Sequence, residues 1–286
     1  MLPASAPPLG GRDRTREVPF PGHSVYGTPM EPETTSRIDL SGRIALVTGA
    51  SRGIGYFVAK HMAAAGAHVI AVARTVGGLE ELDDEIKAGH SRTGKGAATL
   101  VPLDLGDMAG IDRLGGALHE RWGKLDILVA NAAVLGTISP IGHVEAKVFE
   151  KVMTINVTAT WRLIRSVDPL LRLSDAGRAI LVTSDAAHSA LAFWGPYAAS
   201  KAAVEALARS WADETKSLPL RINAVDPGAT RTAMRALAMP GENPEHLPHP
   251  SLIADNMLAL ADPSLTRTGE LYDAREKLWK RYPTVS

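Results

Sequence analysis

Tyr197 and Lys201 are the pair of residues in this 286-residue sequence whose types and spacing most directly suggest proton transfer. They stand four apart at the start of a helical pattern that runs to about Thr215. A helix turns once per about 3.6 residues, so this spacing puts the phenol and the ammonium on one face. A fixed cation favours ionised tyrosine, and about 4 kcal/mol would bring its pKa from about 10 to about 7. The pair predicts an acid/base device; a solvated lysine beside a half-buried ring is the alternative.

A glycine-rich stretch, Thr48-Gly-Ala-Ser-Arg-Gly-Ile-Gly55, lies between an apolar run and a helical pattern that reaches about Ala65. Glycines at a strand-to-helix turn let the backbone approach a ligand, and the helix start presents free N–H groups to a pyrophosphate. The stretch therefore predicts a dinucleotide site, and a turn without a ligand is the alternative. The residues expected to contact the cofactor are Gly49, Ser51, Arg52, Gly53, Ile54 and Gly55.

The end of the second apolar run distinguishes the two nicotinamide cofactors. A site for NAD usually carries an acid about 20 residues beyond the glycines, where it binds the ribose hydroxyls. Here the run ends in Arg74, and the first acid after it is Glu80. A guanidinium binds phosphate bidentately, so Arg74 and Arg52 together fit a 2′-phosphate. NADP is the predicted cofactor and NAD the less favoured one, with an ordinary surface arginine as the alternative.

Six short apolar runs alternate with helical stretches along the body of the chain. Most of these runs are apolar almost throughout and do not alternate with polar residues, which is typical of strands buried on both faces of a parallel sheet. In such α/β sheets ligands bind at the carboxyl ends of the strands. The predicted strands are Ile44–Val47, Val69–Val72, Ala98–Val101, Leu125–Val129, Ala179–Val182 and Arg221–Val225.

The order of the motifs resembles the short-chain dehydrogenase/reductase family, over about residues 40 to 275, in its short form with a Tyr-x-x-x-Lys pair. The resemblance implies an α/β, doubly wound Rossmann fold with about seven parallel strands, the last near Leu271, and helices on both faces. The motifs are Thr48 to Gly55, Asp104-Leu105, Asn131-Ala-Ala133, Asn156, Ser184, Tyr197 with Lys201, and Pro227-Gly228 with Thr230.

The resemblance also implies further cofactor contacts. Asp104, followed by Leu105, would bind the adenine edge, and Asn131 with Ala132 would pass beside the adenosine ribose. Lys201 would hold the nicotinamide ribose beside Tyr197. After the sixth run, Pro227, Gly228 and Thr230 would meet the nicotinamide end, with Thr230 near its carboxamide.

Two more residues complete the catalytic set that the family implies. Asn156 interrupts a good helical run, where asparagine is disfavoured because it competes for backbone hydrogen bonds. In the family it accompanies a local helix irregularity that positions a water for proton relay. Ser184 lies thirteen residues before Tyr197 and would donate to a substrate carbonyl oxygen. Thr183 is the competing hydroxyl, expected to turn into the sheet.

The segment between Ser184 and Tyr197 departs from the glycine-bearing loop common in the family, and it places an acid, Asp185, beside the serine. Because of this departure, the resemblance does not determine which residues form the substrate pocket. His188, Phe193 and Trp194 are candidates to line that pocket, and packing within the loop is the equal alternative.

The helix after Tyr197 is apolar or small around most of its circumference, which predicts burial on more than one side. One face would cover the sheet. The resemblance implies that another face meets a second copy, because family members commonly associate through this helix and the one before it, so a homodimer or homotetramer is expected. Residues 39–286 are expected to form one oxidoreductase domain with a small substrate lid at about 229–265.

Composition excludes several classes of function. The 31 basic and 31 acidic residues cancel, so no nucleic-acid partner is indicated. The absence of cysteine excludes disulfides and thiolate catalysis. No metal site is predicted, because His246 and His249, the one close pair of histidines, lack a nearby carboxylate cluster. No run approaches the roughly eighteen apolar residues of a membrane span.

Residues 1–38 hold seven of the chain's 19 prolines and show no hydrophobic periodicity, which predicts a disordered or loosely packed extension. Arg12, Arg14 and Arg16 would suit an organellar transit peptide, but the acids of this segment weigh against one. A cytoplasmic location is expected. The acids are Asp13, Glu17, Glu31 and Glu33.

The implied activity is hydride transfer between NADPH and a carbonyl compound, with Tyr197 as the acid; oxidation of an alcohol is the reverse. A catalytically silent NADP-binding sensor or scaffold is the alternative. The complete set of Asn156, Ser184, Tyr197 and Lys201 favours the enzyme. Acyl-thioester ketones, steroids, sugars and small aromatic ketones all stay open as substrates.

Overall fold

The computed structural model describes residues 38–93 and 96–282, which form an eight-stranded sheet in the order β3-β2-β1-β4-β5-β6-β7-β8. Neighbouring strands are parallel except for β7 and β8, which pair antiparallel. The strands are β1 Ile44–Thr48, β2 His68–Ala73, β3 Ala97–Pro102, β4 Ile127–Ala130, β5 Gly177–Val182, β6 Leu220–Asp226, β7 Leu271–Asp273 and β8 Leu278–Lys280. The predicted doubly wound parallel sheet is confirmed, and the antiparallel eighth strand is an addition to it.

Helices cover both faces of the sheet. One face packs its apolar side chains against α1, α2 and α8, and the other against α3, α5 and α6. The strands are buried on both sides because side chains alternate between these two cores, as Ala45 and Leu46 do in β1. The helices are α1 Gly53–Ala64, α2 Val76–Thr93, α3 Met108–Trp122, α4 Ala146–Met153, α5 Ala159–Leu171, α6 Gly195–Glu214, α7 Ala233–Ala238 and α8 Pro250–Met257.

Parallel strands joined by helices bring all the strand carboxyl ends to one edge of the sheet. The strand order turns at β1 and β4, whose residues 45–47 and 127–129 pair directly. The glycine-rich loop after β1 and the turn after β4 are therefore neighbours at this edge, where a ligand crevice is expected.

The segment predicted as a lid, residues 229–265, has two parts. α7 carries an exposed Leu237 on the protein surface. α8 instead packs Ile253 and Met257 into the core shared with α1, and so it belongs to the body of the domain. The predicted N-terminal extension lies outside the described residues, apart from Ile38. In the described part of the chain, no helix is long and apolar enough to span a bilayer.

Candidate active site

The residues predicted for the site all follow strand ends at the carboxyl edge or lie on the helices beside it. Residues 49–55 follow β1, Arg74 follows β2, Asp104 and Leu105 follow β3, Asn131 and Ala132 follow β4, Ser184 follows β5, and Pro227, Gly228 and Thr230 follow β6. Tyr197 and Lys201 lie in the first two turns of α6, and Asn156 lies in a π-helical turn between α4 and α5, Thr154–Thr158.

The glycine-rich loop is fixed against the turn after β4. The Thr48 hydroxyl oxygen accepts the N–H groups of Asn131 and Ala132 at 3.0 and 3.1 Å, and the Asn131 amide donates to the Thr48 carbonyl at 2.9 Å. A Cβ on Gly55 would lie 2.4 Å from Asn131 Nδ2 and 2.5 Å from the Gly49 carbonyl oxygen. Gly49 itself has φ +69°, which favours glycine. Positions 49 and 55 of this loop therefore require glycine.

The start of α1 suits a polyanion. Arg52 is its N-cap residue and makes no capping hydrogen bond through its side chain, and the first turn holds no acid. Its N–H groups and positive dipole end are thus open to phosphate oxygens. Two exposed cations stand near the loop: Arg52 within it and Arg74, which pairs with Asp104 at 3.7 Å. The glycine backbone, the open helix start and these arginines fit a dinucleotide with an extra phosphate.

Asn156 is buried, and its side-chain amide joins three elements. Its Oδ1 accepts the Val134 N–H at 2.8 Å, while its Nδ2 donates to the Val134 carbonyl at 2.9 Å and to Ser200 Oγ at 3.0 Å. Ser200 in turn donates to the Tyr197 carbonyl at 2.7 Å. The expected helix irregularity is present as the π-helical turn. Asn156 thereby ties the turn after β4 to the helix that carries Tyr197.

The two hydroxyls after β5 are separated by their partners. Thr183 is buried and donates to Glu205 Oε1 on α6 at 2.8 Å, so it faces away from the open edge. Ser184 is only partly buried; it donates to Asp185 Oδ1 at 2.9 Å and lies within hydrogen-bonding reach of the Tyr197 phenol. Of the two hydroxyls, Ser184 is the one that lies beside the Tyr197 phenol.

Tyr197 and Lys201 are both buried, and burial determines their electrostatics. Burial raises the pKa of Tyr197, Asp226 and Asp185 raise it further, and the hydrogen bond with Ser184 opposes the rise. The expected lowering of this pKa by Lys201 is therefore wrong in direction, because burial and these carboxylates raise it. The Lys201 ammonium, 5.6 Å from the Tyr197 ring centroid, donates to the Val182 carbonyl at 2.8 Å. Burial lowers the pKa of Lys201 to about 8, although the carboxylates of Asp226 and Glu205 act to raise it.

Asp226 is a member of the site that sequence reasoning missed. It ends β6, it is only 5% exposed, and its Oδ1 accepts the Gly228 N–H at 2.9 Å. Burial raises its pKa to about 6. An acid at the end of a buried strand was the available signal, because such a residue is buried with the strand it ends.

Other predicted residues are engaged within the protein. Leu105 packs into the core beneath α3, so only its backbone faces the edge. The Thr230 hydroxyl donates within its own turn, to the Gly228 carbonyl at 3.1 Å. Trp194 packs edge-on against Tyr197, with ring centroids 5.9 Å apart, and His188 lies 3.7 Å from Glu205. Those two aromatic residues pack the loop, while Phe193 stays 54% exposed.

A nearby depression of about 340 Å³ flanks these residues without including Ser184, Tyr197 or Lys201. Its walls are mainly apolar and include the residue that precedes Tyr197. The lining residues are Ile141, Val144, Ala146, Phe149, Glu150 and Pro196.

A glycine-rich loop that opens a helix, beside a partly buried serine and a buried tyrosine and lysine, is the arrangement of a nucleotide-dependent oxidoreductase. Comparison with known proteins agrees. The family model described as short chain dehydrogenase matches residues 43–243. The chain belongs to the short-chain dehydrogenase family and is an oxidoreductase of that family.

Three similar proteins illustrate the match. The uncharacterized oxidoreductase YciK of Escherichia coli is 38% identical over 239 residues, covering 82% of this chain and 93% of that protein. A short chain dehydrogenase from E. coli CFT073, solved with NADPH, has a TM-score of 0.78 at 37% identity. One from Shigella flexneri, solved with NADP, has a TM-score of 0.77 at 37% identity. Each structural match covers 84% of this chain and all of the other.

Proposed function

We propose that the protein reduces the carbonyl group of a small molecule to an alcohol with NADPH. The observation that carries this proposal is the meeting of the Ser184 hydroxyl and the Tyr197 phenol above a buried Lys201. Because burial raises the pKa of Tyr197, the phenol holds its proton at neutral pH. A protonated phenol beside a second hydroxyl can donate a proton to an oxygen that gains negative charge. Carbonyl reduction requires such a donor, because hydride addition to the carbon leaves negative charge on the oxygen.

The side chains divide the work. The nicotinamide, when bound, supplies the hydride. Ser184 orients the carbonyl by donating a hydrogen bond to its oxygen, and Tyr197 gives that oxygen the proton. Lys201 holds positive charge beside the phenol and so stabilises the tyrosinate left behind. Asn156 acts by position, since its amide fixes the helix segment that carries Tyr197.

The preference for NADP rests on charge. Arg52 and Arg74 stand exposed beside the glycine loop, and the end of β2 offers no acid for a ribose hydroxyl. The two solved relatives bind NADP or NADPH, which supports the same cofactor preference for this chain. Charge-assisted hydrogen bonds to a phosphate contribute about 1.5–3 kcal/mol, or roughly 10- to 100-fold in affinity.

A turnover assay tests the reaction. NADPH oxidation is followed by absorbance with a panel of ketones and aldehydes, and Tyr197→Phe is expected to lose at least about 100-fold in kcat. Tyr272→Phe is the matched control, because Tyr272 is equally buried but packs on Trp279 in the opposite core. Normal turnover by Tyr197→Phe contradicts the assigned acid. NADPH binding without turnover across the panel would favour a sensor or scaffold.

A cofactor assay tests the NADP preference. Arg74→Ala is expected to raise the KM for NADPH by about tenfold or more while leaving that for NADH within about twofold. Arg113→Ala is the control, since Arg113 is also an exposed arginine paired with an aspartate, Asp107 at 3.0 Å, on α3. Equal effects of the two substitutions would contradict the assignment of Arg74 to the cofactor site.

We also propose that α5 and α6 pair with the same helices of a second copy. Small residues of α6, Ala199 and Ala206, are exposed, as is the large ring of Trp161 on α5. Such a self-complementary face suits a two-fold dimer. Light scattering coupled to size exclusion should give a dimer or tetramer mass, and Trp161→Glu should shift it towards the monomer. A monomeric wild type contradicts the proposal.

A further inference from the structure

Phe193 holds a backbone conformation that its side chain disfavours. Its φ is +75°, and among the described residues only Lys277 shares a positive φ without being glycine. Lys277 is accounted for by the tight turn that joins β7 to β8. Phe193 instead occupies the third position of a turn closed by a hydrogen bond from Trp194 N–H to the Leu191 carbonyl at 3.4 Å. Glycine or asparagine is the usual residue at such a position.

Two neighbours hold this turn in place. The Phe193 carbonyl accepts the Ser139 N–H at 3.1 Å, which joins the loop before α6 to the loop after β4. Trp194 packs against the Tyr197 ring, so the backbone at Phe193 is anchored on the catalytic tyrosine. Strain that persists at an active site because its surroundings enforce it is an indication of function.

The strained residue also exposes its ring where burial would be favourable. The Phe193 side chain is 54% exposed, four residues before Tyr197. Leu191 in the same turn is 36% exposed, and Ile141 across it is 72% exposed, beside Gly195. Exposed apolar side chains on the loops around a reactive centre are typical of sites that bind apolar ligands.

We infer that Phe193 is a specificity-determining residue, held in a strained turn so that its ring packs against the apolar body of the carbonyl substrate. This inference rests on the proposed carbonyl reduction and narrows its substrate class. Aryl and alkyl ketones would be selected over small polar ones such as sugar-like hydroxyketones. The favoured substrate covers the Phe193, Leu191 and Ile141 side chains while its carbonyl reaches Ser184 and Tyr197.

Thermal unfolding tests the strain. Phe193→Gly and Phe193→Ala both remove the ring, but only glycine adopts a positive φ freely. The glycine variant should therefore melt about 2–4 °C above the alanine variant. At Leu173, an exposed residue before β5 at the other edge of the sheet, the same pair of substitutions should not favour glycine. An alanine variant as stable as the glycine variant at Phe193 would overturn the strain argument.

Substrate preference tests the role of the ring. With NADPH, kcat/KM for benzylacetone should fall at least about tenfold in both ring-deleted variants, while that for hydroxyacetone stays within about twofold. Phe193→Leu should keep most of the preference because it keeps an apolar side chain, and Leu173→Ala should change neither value. An equal fall for both ketones, or none, would overturn the specificity role.

A binding measurement separates this inference from the proposed reaction. Quenching of tryptophan fluorescence by benzylacetone should saturate in the wild type loaded with NADP⁺, which carries no hydride to transfer, and weaken about tenfold in Phe193→Gly. If the wild type turns over neither ketone, the proposed reaction is contradicted, while the quenching still decides whether Phe193 binds an apolar body. Unchanged quenching in the variant overturns the inference.

Discussion

Removal of the Asn156 amide should destabilise the protein by about 3 kcal/mol. In Asn156→Ala the N–H and carbonyl of Val134 and the hydroxyl of Ser200 lose partners that lie 2.8–3.0 Å away. Each buried partner left unsatisfied costs about 1–3 kcal/mol. We take the low end for each, because Val134 is only partly buried and water can reach its backbone. The same loss frees the π-helical turn beneath Tyr197, so kcat should fall at least about tenfold.

Urea unfolding measures the free-energy change, and amide hydrogen exchange measures its location. The Val134 N–H should exchange faster in Asn156→Ala, because its acceptor is gone. Thr160→Val is the control: it removes one hydrogen bond, to the Asn156 carbonyl at 2.8 Å, but keeps the Asn156 amide. We expect it to cost about 1 kcal/mol. Equal costs for the two variants, or unchanged exchange at Val134, would refute the conclusion that the Asn156 amide ties the turn after β4 to the helix that carries Tyr197.

Two further substitutions address the loop and the buried acid. Gly55→Ala should weaken NADPH binding at least about tenfold, because its Cβ meets the backbone carbonyl of Gly49 at 2.5 Å; Gly116→Ala, whose Cβ has open space, should not. Asp226→Asn should raise the free energy of unfolding at pH 7 by at most about 3 kcal/mol, since burial raises the pKa of Asp226 from 3.8 to about 6. The folded state binds more protons than the unfolded state between about pH 4 and 6, so the gain should fade as the pH falls through that range. Urea titrations at pH 4.5 and 7 check this, and an equal gain at both contradicts it.

The sheet could be predicted because its strands are continuous apolar runs. Each of the six predicted runs overlaps an observed strand, and the distinction between Thr183 and Ser184 followed from their distance to the strand end. β8 carried no comparable signal. It has three residues, and its turn uses Lys277 at positive φ in place of the glycine or asparagine that marks a hairpin.

The charges of the site could not be predicted from spacing alone. Tyr197 and Lys201 lie on one face of α6, as their spacing predicts. The pKa of the phenol, however, depends on the residues that surround that face. Asp226 comes from β6 and Asp185 from the loop after β5, and the fold brings both near Tyr197. Such convergence depends on strand order, which a local pattern does not contain.

Two buried charges, Lys201 in the second turn of α6 and Asp226 at the end of β6, are expected to limit the pH range of activity. Lys201 has a pKa of about 8, so about nine-tenths of it is protonated at pH 7 and the cation is lost as the pH rises further. Asp226 favours that cation, and it loses its own charge as the pH falls through about 6. We therefore expect kcat/KM for carbonyl reduction to be greatest between about pH 6 and 8. In Asp226→Asn the alkaline limb should move to lower pH, because the pKa of Lys201 falls once the carboxylate is gone. An alkaline limb that stays in place would mean that Asp226 does not act on Lys201.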